Sequence, residues 1–170
     1  FPITKDQSYE YTLDMRHLSI RSRKMIATLK IRSTIFGAIH EYFRAKGFYE
    51  YHSPSFTPNA AEGGSTLFKV DYFGKEMFLT QTWQLYAEAG IQALEKIYTI
   101  APSFRAEKSK TSRHLTEYWH AEMEEAWTSF ENLQDHAEAL LKLIVSKVLK
   151  ENKKELEILG RDLKKLEPTI

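Results

Sequence analysis

The 170 residues include no cysteine, which excludes disulfides and thiolate metal sites and suits a reducing cytosol. Net charge is nearly absent as well: 24 Lys and Arg against 23 Asp and Glu leave +1. A strongly basic surface is therefore no argument for nucleic-acid binding. No apolar run approaches membrane-spanning length, no signal-like segment opens the chain, and no repeat or low-complexity block interrupts it. What is there is 42% hydrophobic, 28% charged and 13% aromatic, enough for one soluble core of domain size and, from the aromatic share, a large core or a substantial interface.

The chemistry concentrates between Lys96 and Trp127. Lys96 to Phe104 is apolar and β-branched enough to be a buried strand, and Arg105 and Glu107 stand where it ends. The return run is Glu117 to Trp127. Strand side chains alternate, so Tyr118, His120, Glu122 and Glu124 share a polar and aromatic face, and Trp119, Ala121, Met123 and Glu125 share a mostly apolar one. Between the strands, Lys108 to His114 is polar and basic without an apolar anchor, suited to phosphates.

Three readings of this stretch compete. The charges could cross-pair on a solvated hairpin. His120, Glu122 and Glu124 could hold a metal, although no further ligand cluster accompanies them. The stretch could also be a nucleotide platform, with Tyr118 stacking a base, Arg105 gripping a phosphate bidentately and Glu107 accepting from a base amino group.

Phe104-Arg105-Ala106-Glu107 followed by Arg113-His114-Leu115-Thr116-Glu117-Tyr118 resembles the second signature motif of class II aminoacyl-tRNA synthetases in its aspartyl/asparaginyl form. Lys46 to Pro54 is similar to the first signature, a helix and strand at a dimer interface. Glu62 to Phe68 resembles the loop that closes over the amino acid, and Gln81 to Tyr86 the amino-acid pocket. Nearly the whole chain is covered, in order.

Within that subgroup the chain looks like the asparaginyl branch, in its archaeal form. Aspartyl enzymes carry Leu-Tyr-Lys-Gln in the pocket segment, the lysine facing the substrate carboxylate; here those last two positions are Ala87 and Glu88. Aspartate and asparagine are nearly isosteric, so they must be separated by charge and hydrogen-bond polarity. Glu122 matches the position where asparaginyl enzymes place an acceptor for the side-chain NH2. A small residue at 87 also has a plain alternative explanation, helix packing.

The resemblance implies attack of the amino acid's carboxylate on the α-phosphorus of ATP, then transfer to the terminal ribose of tRNA(Asn). Arg105 would bridge carboxylate and α-phosphate, Glu107 read the adenine amino group, Arg113 and His114, with Leu115 beside them, hold the outer phosphates, and Tyr118 stack on adenine. Glu62 would help bind the α-ammonium, Gln84 line the pocket and Glu122 take the amide. ATP and Mg2+ are the implied cofactors, with the metal ligands unknown and expected outside this chain. L-asparagine and tRNA are the implied partners, and a homodimer through the Arg23–Pro54 region is expected in the cytoplasm. The third signature and the anticodon-binding barrel are not found between Phe1 and Ile170, so the expectation for 1–170 is a partial catalytic domain, incomplete at its C-terminus.

Periodicity sets the rest. Met25, Leu29, Phe36, Ile39 and Phe43 predict a long helix from about Arg23 to Lys46, ended by Gly47. Leu67–Phe73 and Met77–Thr80 flank Gly74-Lys75 as a hairpin, Gln81–Glu95 reads as a helix with Leu85, Ala89 and Ala93 or Leu94 inward, and Pro58 to Ala61 is a candidate hinge. Leu133, Ala137, Leu140, Leu141, Ile144 and Val148 mark another helix, and Lys150–Lys165 reads as a solvated one ended by Pro168. The architecture is α+β, a largely antiparallel sheet flanked by helices. Alternatives to the ligase are an archaeal asparagine synthetase of the same ancestry, an aspartyl enzyme of relaxed specificity, and a non-catalytic dimerisation or binding module.

Overall fold

The structure, a computed structural model, describes residues 7–59, 66–108 and 114–169. It divides into two compact units, Phe1–Tyr42 with Phe130–Ile170, and Phe43–Ser129.

The Phe43–Ser129 unit is built on β5 (Lys96–Phe104), whose Ile97, Tyr98, Thr99 and Ile100 are buried as its β-branched and aromatic character requires. β6 (Glu117–Glu125) runs antiparallel to it and β1 (Tyr49–Glu50) parallel on its other side. A second sheet has the order β2 (Phe56–Thr57), β4 (Lys75–Leu79), β3 (Lys69–Tyr72), all antiparallel. The expected antiparallel sheet is thus two smaller sheets with one parallel pairing, coupled where Phe104 N donates to Thr80 O at 2.9 Å and Thr80 N to Ser55 O at 2.9 Å.

The β3–β4 turn sits one residue earlier than the sequence suggests. Tyr72 pairs with Lys75, so Phe73 and Gly74 are its centre, with φ of 54° and 79°. That is the sign a two-residue primed turn needs, unusual for a bulky residue. Asp71 Oδ1 accepts from Gly74 N at 2.8 Å and steadies it.

Helix α4 covers Gln84–Leu94, starting three residues later than periodicity indicates. Its inner face is Trp83, Ala87, Gly90 and Ile91, while Leu85 and Leu94, expected inward, are 42% and 38% exposed and Ala89 and Ala93 are exposed too. Trp83, Ala87 and Ile97 form a buried cluster with Tyr51 and Ile91 against it. Gly90 explains the rotation of the helix. A Cβ there would lie 3.0 Å from both Ile97 Cδ1 and Tyr51 Cε1, so close approach to β5 offsets the roughly 1 kcal/mol that a helical glycine costs.

The other unit is helical among the described residues. α1 (Tyr9–Asp14) is capped by the Ser8 hydroxyl, which accepts from Tyr11 N; α2 (Arg16–Ser19) and α3 (Arg23–Ala45) follow. α3 stops one residue short of the predicted end and Gly47, at φ 80°, turns the chain. It crosses into the strand-bearing unit, where Phe43 stacks on Tyr98 with centroids 4.8 Å apart. Within the helical unit α5 (Phe130–Glu151) meets α3 through Tyr42 Oη and His136 Nδ1, 2.8 Å apart, and through the Glu41–Lys147 ion pair. The predicted continuous tail helix is broken: α6 covers Lys153–Ile158, Gly160 has φ 69°, and short 3-10 turns at Leu163–Lys165 and Glu167–Thr169 follow. No described helix is long and apolar enough to cross a membrane.

Candidate active site

The nine-pair register of β5 and β6 sets the site. Ser103 faces Tyr118, Ala101 faces His120, Thr99 faces Glu122 and Ile97 faces Glu124. Opposed residues project to the same side, so Tyr118, His120, Glu122 and Glu124 line one face as the alternation predicts. Burial inverts the simple expectation from polarity. These four are half-buried, as are Met123 and Glu125 on the other side, where Trp119 is 50% exposed and Ala121 exposed.

Arg105 follows β5 directly, and its backbone N–H donates to Thr116 O at 2.9 Å, which closes the strand pair. Its exposed guanidinium carbon lies 5.6 Å from the Tyr118 ring centroid, and that ring lies 5.4 Å from the His120 ring, tilted 56°. A cation, an aromatic face and an imidazole therefore follow one another along the strand. Such a series can hold a planar base and a phosphate side by side.

Glu122 ends the series and is held from helix α4. The Thr82 hydroxyl donates to Oε1, Trp83 N donates to Oε2 at 3.1 Å, and His120 Nδ1 lies 3.3 Å from Oε2, within ion-pair range but off-line for a hydrogen bond. Among the described residues, buried Trp83 Nε1, Thr99 Oγ1 and His120 Nδ1 have no hydrogen-bond partner; Trp83 and His120 contact this carboxylate through other atoms or at ion-pair range, and Thr99 opposes Glu122 on β5.

Of the sequence-predicted residues, Arg105 lies against Tyr118, and Glu122 lies two same-face steps farther along β6. Glu107 lies half-buried beyond Arg105, and His114 and Leu115 are exposed, Leu115 at 63%. Gln84 is exposed at the start of α4, its carboxamide donating to Glu88 at 3.0 Å. Glu62 and Arg113 lie outside the described residues, as do Ala60 and Ala61 of the expected hinge. Ala87 is fully buried against Trp83 and Ile97, so packing accounts for its small size. Among the described residues no three His, Asp or Glu side chains come together to hold a metal, because same-face strand positions are spread along the chain by about 6.6 Å per step.

Gln81 and Thr82 lie in the segment that resembles the amino-acid pocket, but the sequence assigns neither a role of its own. Buried Gln81 donates through Nε2 to Thr66 Oγ1 at 2.6 Å, while Ser103 Oγ donates to Gln81 O at 2.5 Å, so it ties Thr66 to the platform strand. For Thr82 a signal existed: a threonine just ahead of a helical pattern reads as an N-terminal cap.

Burial, reinforced by Glu88 and Glu122, pushes the Glu124 carboxyl above its ordinary range. A folded-state pKa raised above the unfolded one favours the protonated form, so the chain loses stability as pH rises from the ordinary value of 4.5 through the raised one. Glu124→Gln is therefore expected to melt higher than the parent at pH 7 and at the same temperature at pH 3. Thermal unfolding followed by circular dichroism across that range checks it.

Residues 8–169 match the model of the family described as tRNA synthetases class II (D, K and N). An asparagine–tRNA ligase from Thermoplasma acidophilum is 53% identical over 99% of this chain, and one from Thermococcus gammatolerans 45% identical over 100%. The chain spans 40% of the length of each. Among solved structures, asparaginyl-tRNA synthetase from Pyrococcus horikoshii complexed with asparaginyl-adenylate superimposes with a TM-score of 0.94 at 44% identity, over 99% of this chain and 40% of that one. A putative aspartyl-tRNA synthetase from Leishmania major reaches 0.81 at 27% identity, over 91% of this chain and 30% of that one. With its platform strands, the Arg105–Tyr118–Glu122 face and a family match running almost end to end, this chain belongs to the class II tRNA synthetases of the D, K and N group.

Proposed function

We propose that the gene product containing this chain activates L-asparagine with ATP and transfers it to tRNA(Asn), with residues 1–170 supplying part of the catalytic domain. The observation that carries this reading is Glu122, a carboxylate oriented by the Thr82 hydroxyl and Trp83 N–H on the strand face that Tyr118, approached by Arg105, also lines. An ionised carboxylate only accepts hydrogen bonds, so it attracts the NH2 of an amide and repels a second carboxylate. Relatives named asparagine–tRNA ligase and a neighbour holding asparaginyl-adenylate favour the same substrate.

In the proposed first step a carboxylate oxygen of asparagine bonds to the α-phosphorus, the bond from that phosphorus to the bridging oxygen breaks, and pyrophosphate leaves. A ribose hydroxyl of tRNA then attacks the activated carbonyl and AMP departs. Positioning and charge neutralisation dominate such chemistry. Arg105 spans carboxylate and α-phosphate, Tyr118 stacks on adenine and Glu107 accepts from its amino group. Arg113, His114 and Leu115 border the outer phosphates, while Glu62 and Gln84 border the amino acid. Mg2+, when bound, would neutralise phosphate charge; the described residues contain no cluster of three His, Asp or Glu to hold it.

Assembly as a cytoplasmic homodimer through Arg23–Pro54 belongs to the same proposal. On α3, Met25, Ile26 and Leu29 are 41%, 43% and 39% exposed, an apolar edge suited to a second copy.

ATP–pyrophosphate exchange on the full-length gene product tests the reading. Asparagine-dependent exchange with little from aspartate is expected. Exchange driven by aspartate alone sinks it, and aspartate converted to free asparagine in the presence of ammonia would instead establish a synthetase.

A further inference from the structure

Glu122 lies on β6, yet among the described residues every hydrogen bond to its carboxylate comes from the residues just ahead of α4. Gln84 N donates to Thr82 Oγ1 at 3.1 Å, so that oxygen serves as acceptor while its one proton is directed at Glu122 Oε1. Trp83 N takes Oε2 at 3.1 Å. The carboxylate is thus an N-terminal cap for α4 contributed by a strand, with the threonine hydroxyl relaying one of the helix's free amide donors to it. Two donors from the helix start, one on each oxygen, fix the plane of the carboxylate, with His120 Nδ1 3.3 Å from Oε2.

We infer that Thr82 is a positioning residue for amino-acid selectivity: its hydroxyl orients Glu122 so that the free lone pairs meet the substrate amide. This rests on the assignment of Glu122 proposed above. Without the hydroxyl, Oε1 loses its donor, the carboxylate is held only at Oε2, by Trp83 N and beside His120, and its free lone pairs no longer converge on one point. A mispointed acceptor contributes less to holding asparagine and less to repelling aspartate, so both substrates should respond, in opposite directions. ATP, held by other residues, should not.

The test uses the full-length gene product and ATP–pyrophosphate exchange with asparagine and with aspartate. Thr82→Val, which keeps the shape, and Thr82→Ala are each expected to raise the asparagine KM and lower the asparagine-to-aspartate ratio of kcat/KM by at least about tenfold, the scale of one lost hydrogen bond to a charged group. The ATP KM should stay within about twofold. Thr82→Ser should restore most of the ratio, and combining Thr82→Val with Glu122→Gln should be no worse than Glu122→Gln alone, because the two act as one unit. Should one replacement fail to fold, the other carries the comparison. Parental selectivity in a folded Thr82→Val or Thr82→Ala protein, with Glu122→Gln still damaging it, overturns the role of Thr82 and leaves Glu122 standing. Parental selectivity in Glu122→Gln overturns both.

Discussion

Arg105→Ala in the full-length gene product is expected to slow asparagine-dependent ATP–pyrophosphate exchange by about 10^2 to 10^3, the cost of losing one preorganised group aimed at developing charge. The fall should lie mainly in kcat, since a guanidinium that bridges two reacting groups counts for most where charge is redistributed. Stability should hardly move. The side chain is exposed and the strand closure uses only its backbone N–H, so the loss of the stacked arrangement over Tyr118 costs less than about 1 kcal/mol. A variant that melts like the parent yet exchanges like the blank is the expected pattern. Undiminished exchange would remove Arg105 from the chemistry.

The second large effect is structural. Trp83→Ala is expected to cost about 3–5 kcal/mol in chemical denaturation, because the indole is 2% exposed and fills the space between Ala87, Ile97 and Tyr51. The neighbours on α4 are already small, Ala87 and Gly90, so little can collapse into the cavity. Nε1, which has no hydrogen-bond partner among the described residues, moderates the loss, since its removal also removes a buried donor. A loss below about 1 kcal/mol would mean that the helix repacks.

These expectations also show which physics the amino-acid order displayed. The platform strands were legible almost to the residue: Lys96–Phe104 was met in full, and the return strand begins at Glu117 as predicted, ending at Glu125 because Trp127 turns the chain with φ 61°. Alternation is a strong signal when one side is polar and functional. Helix α4 was harder to read. Hydrophobicity favoured Leu85, Ala89 and Leu94 as its buried side, but close approach to β5 is set by what is small, and Ala87 and Gly90 carry little hydrophobic weight. Periodicity alone starts it at Gln81, since Gln81, Thr82 and Trp83 are all tolerated in helices; only the bond from Gln84 N to the Thr82 hydroxyl separates them.

The hairpin turn was displaced by one residue for a related reason. Gly74-Lys75 looks like turn material, whereas the observed Phe73-Gly74 places an aromatic side chain 91% exposed in a backbone region that aromatics avoid. Pairing of Val70 with Met77 and of Lys69 with Phe78 outweighs the local preference. In the tail, charge density predicted a helix but could not show that Gly160 would divide it. Of the site, Arg105, Tyr118 and Glu122 were visible as residue types in a pattern; the relay through Thr82 was not, because it joins positions 82 and 122, which only the fold makes neighbours.

Since β5 and β6 are matched pair by pair from Lys96 opposite Glu125 to Phe104 opposite Glu117, the chemistry here is a matter of phase. Slide one strand by a single residue and every odd and even position trades sides: Trp119 and Ala121 would occupy the sheltered surface, and Tyr118 and Glu122 would look out at solvent. One inserted amino acid between Tyr118 and Glu122 would therefore be as damaging as deleting the carboxylate itself, although each functional group would still be encoded.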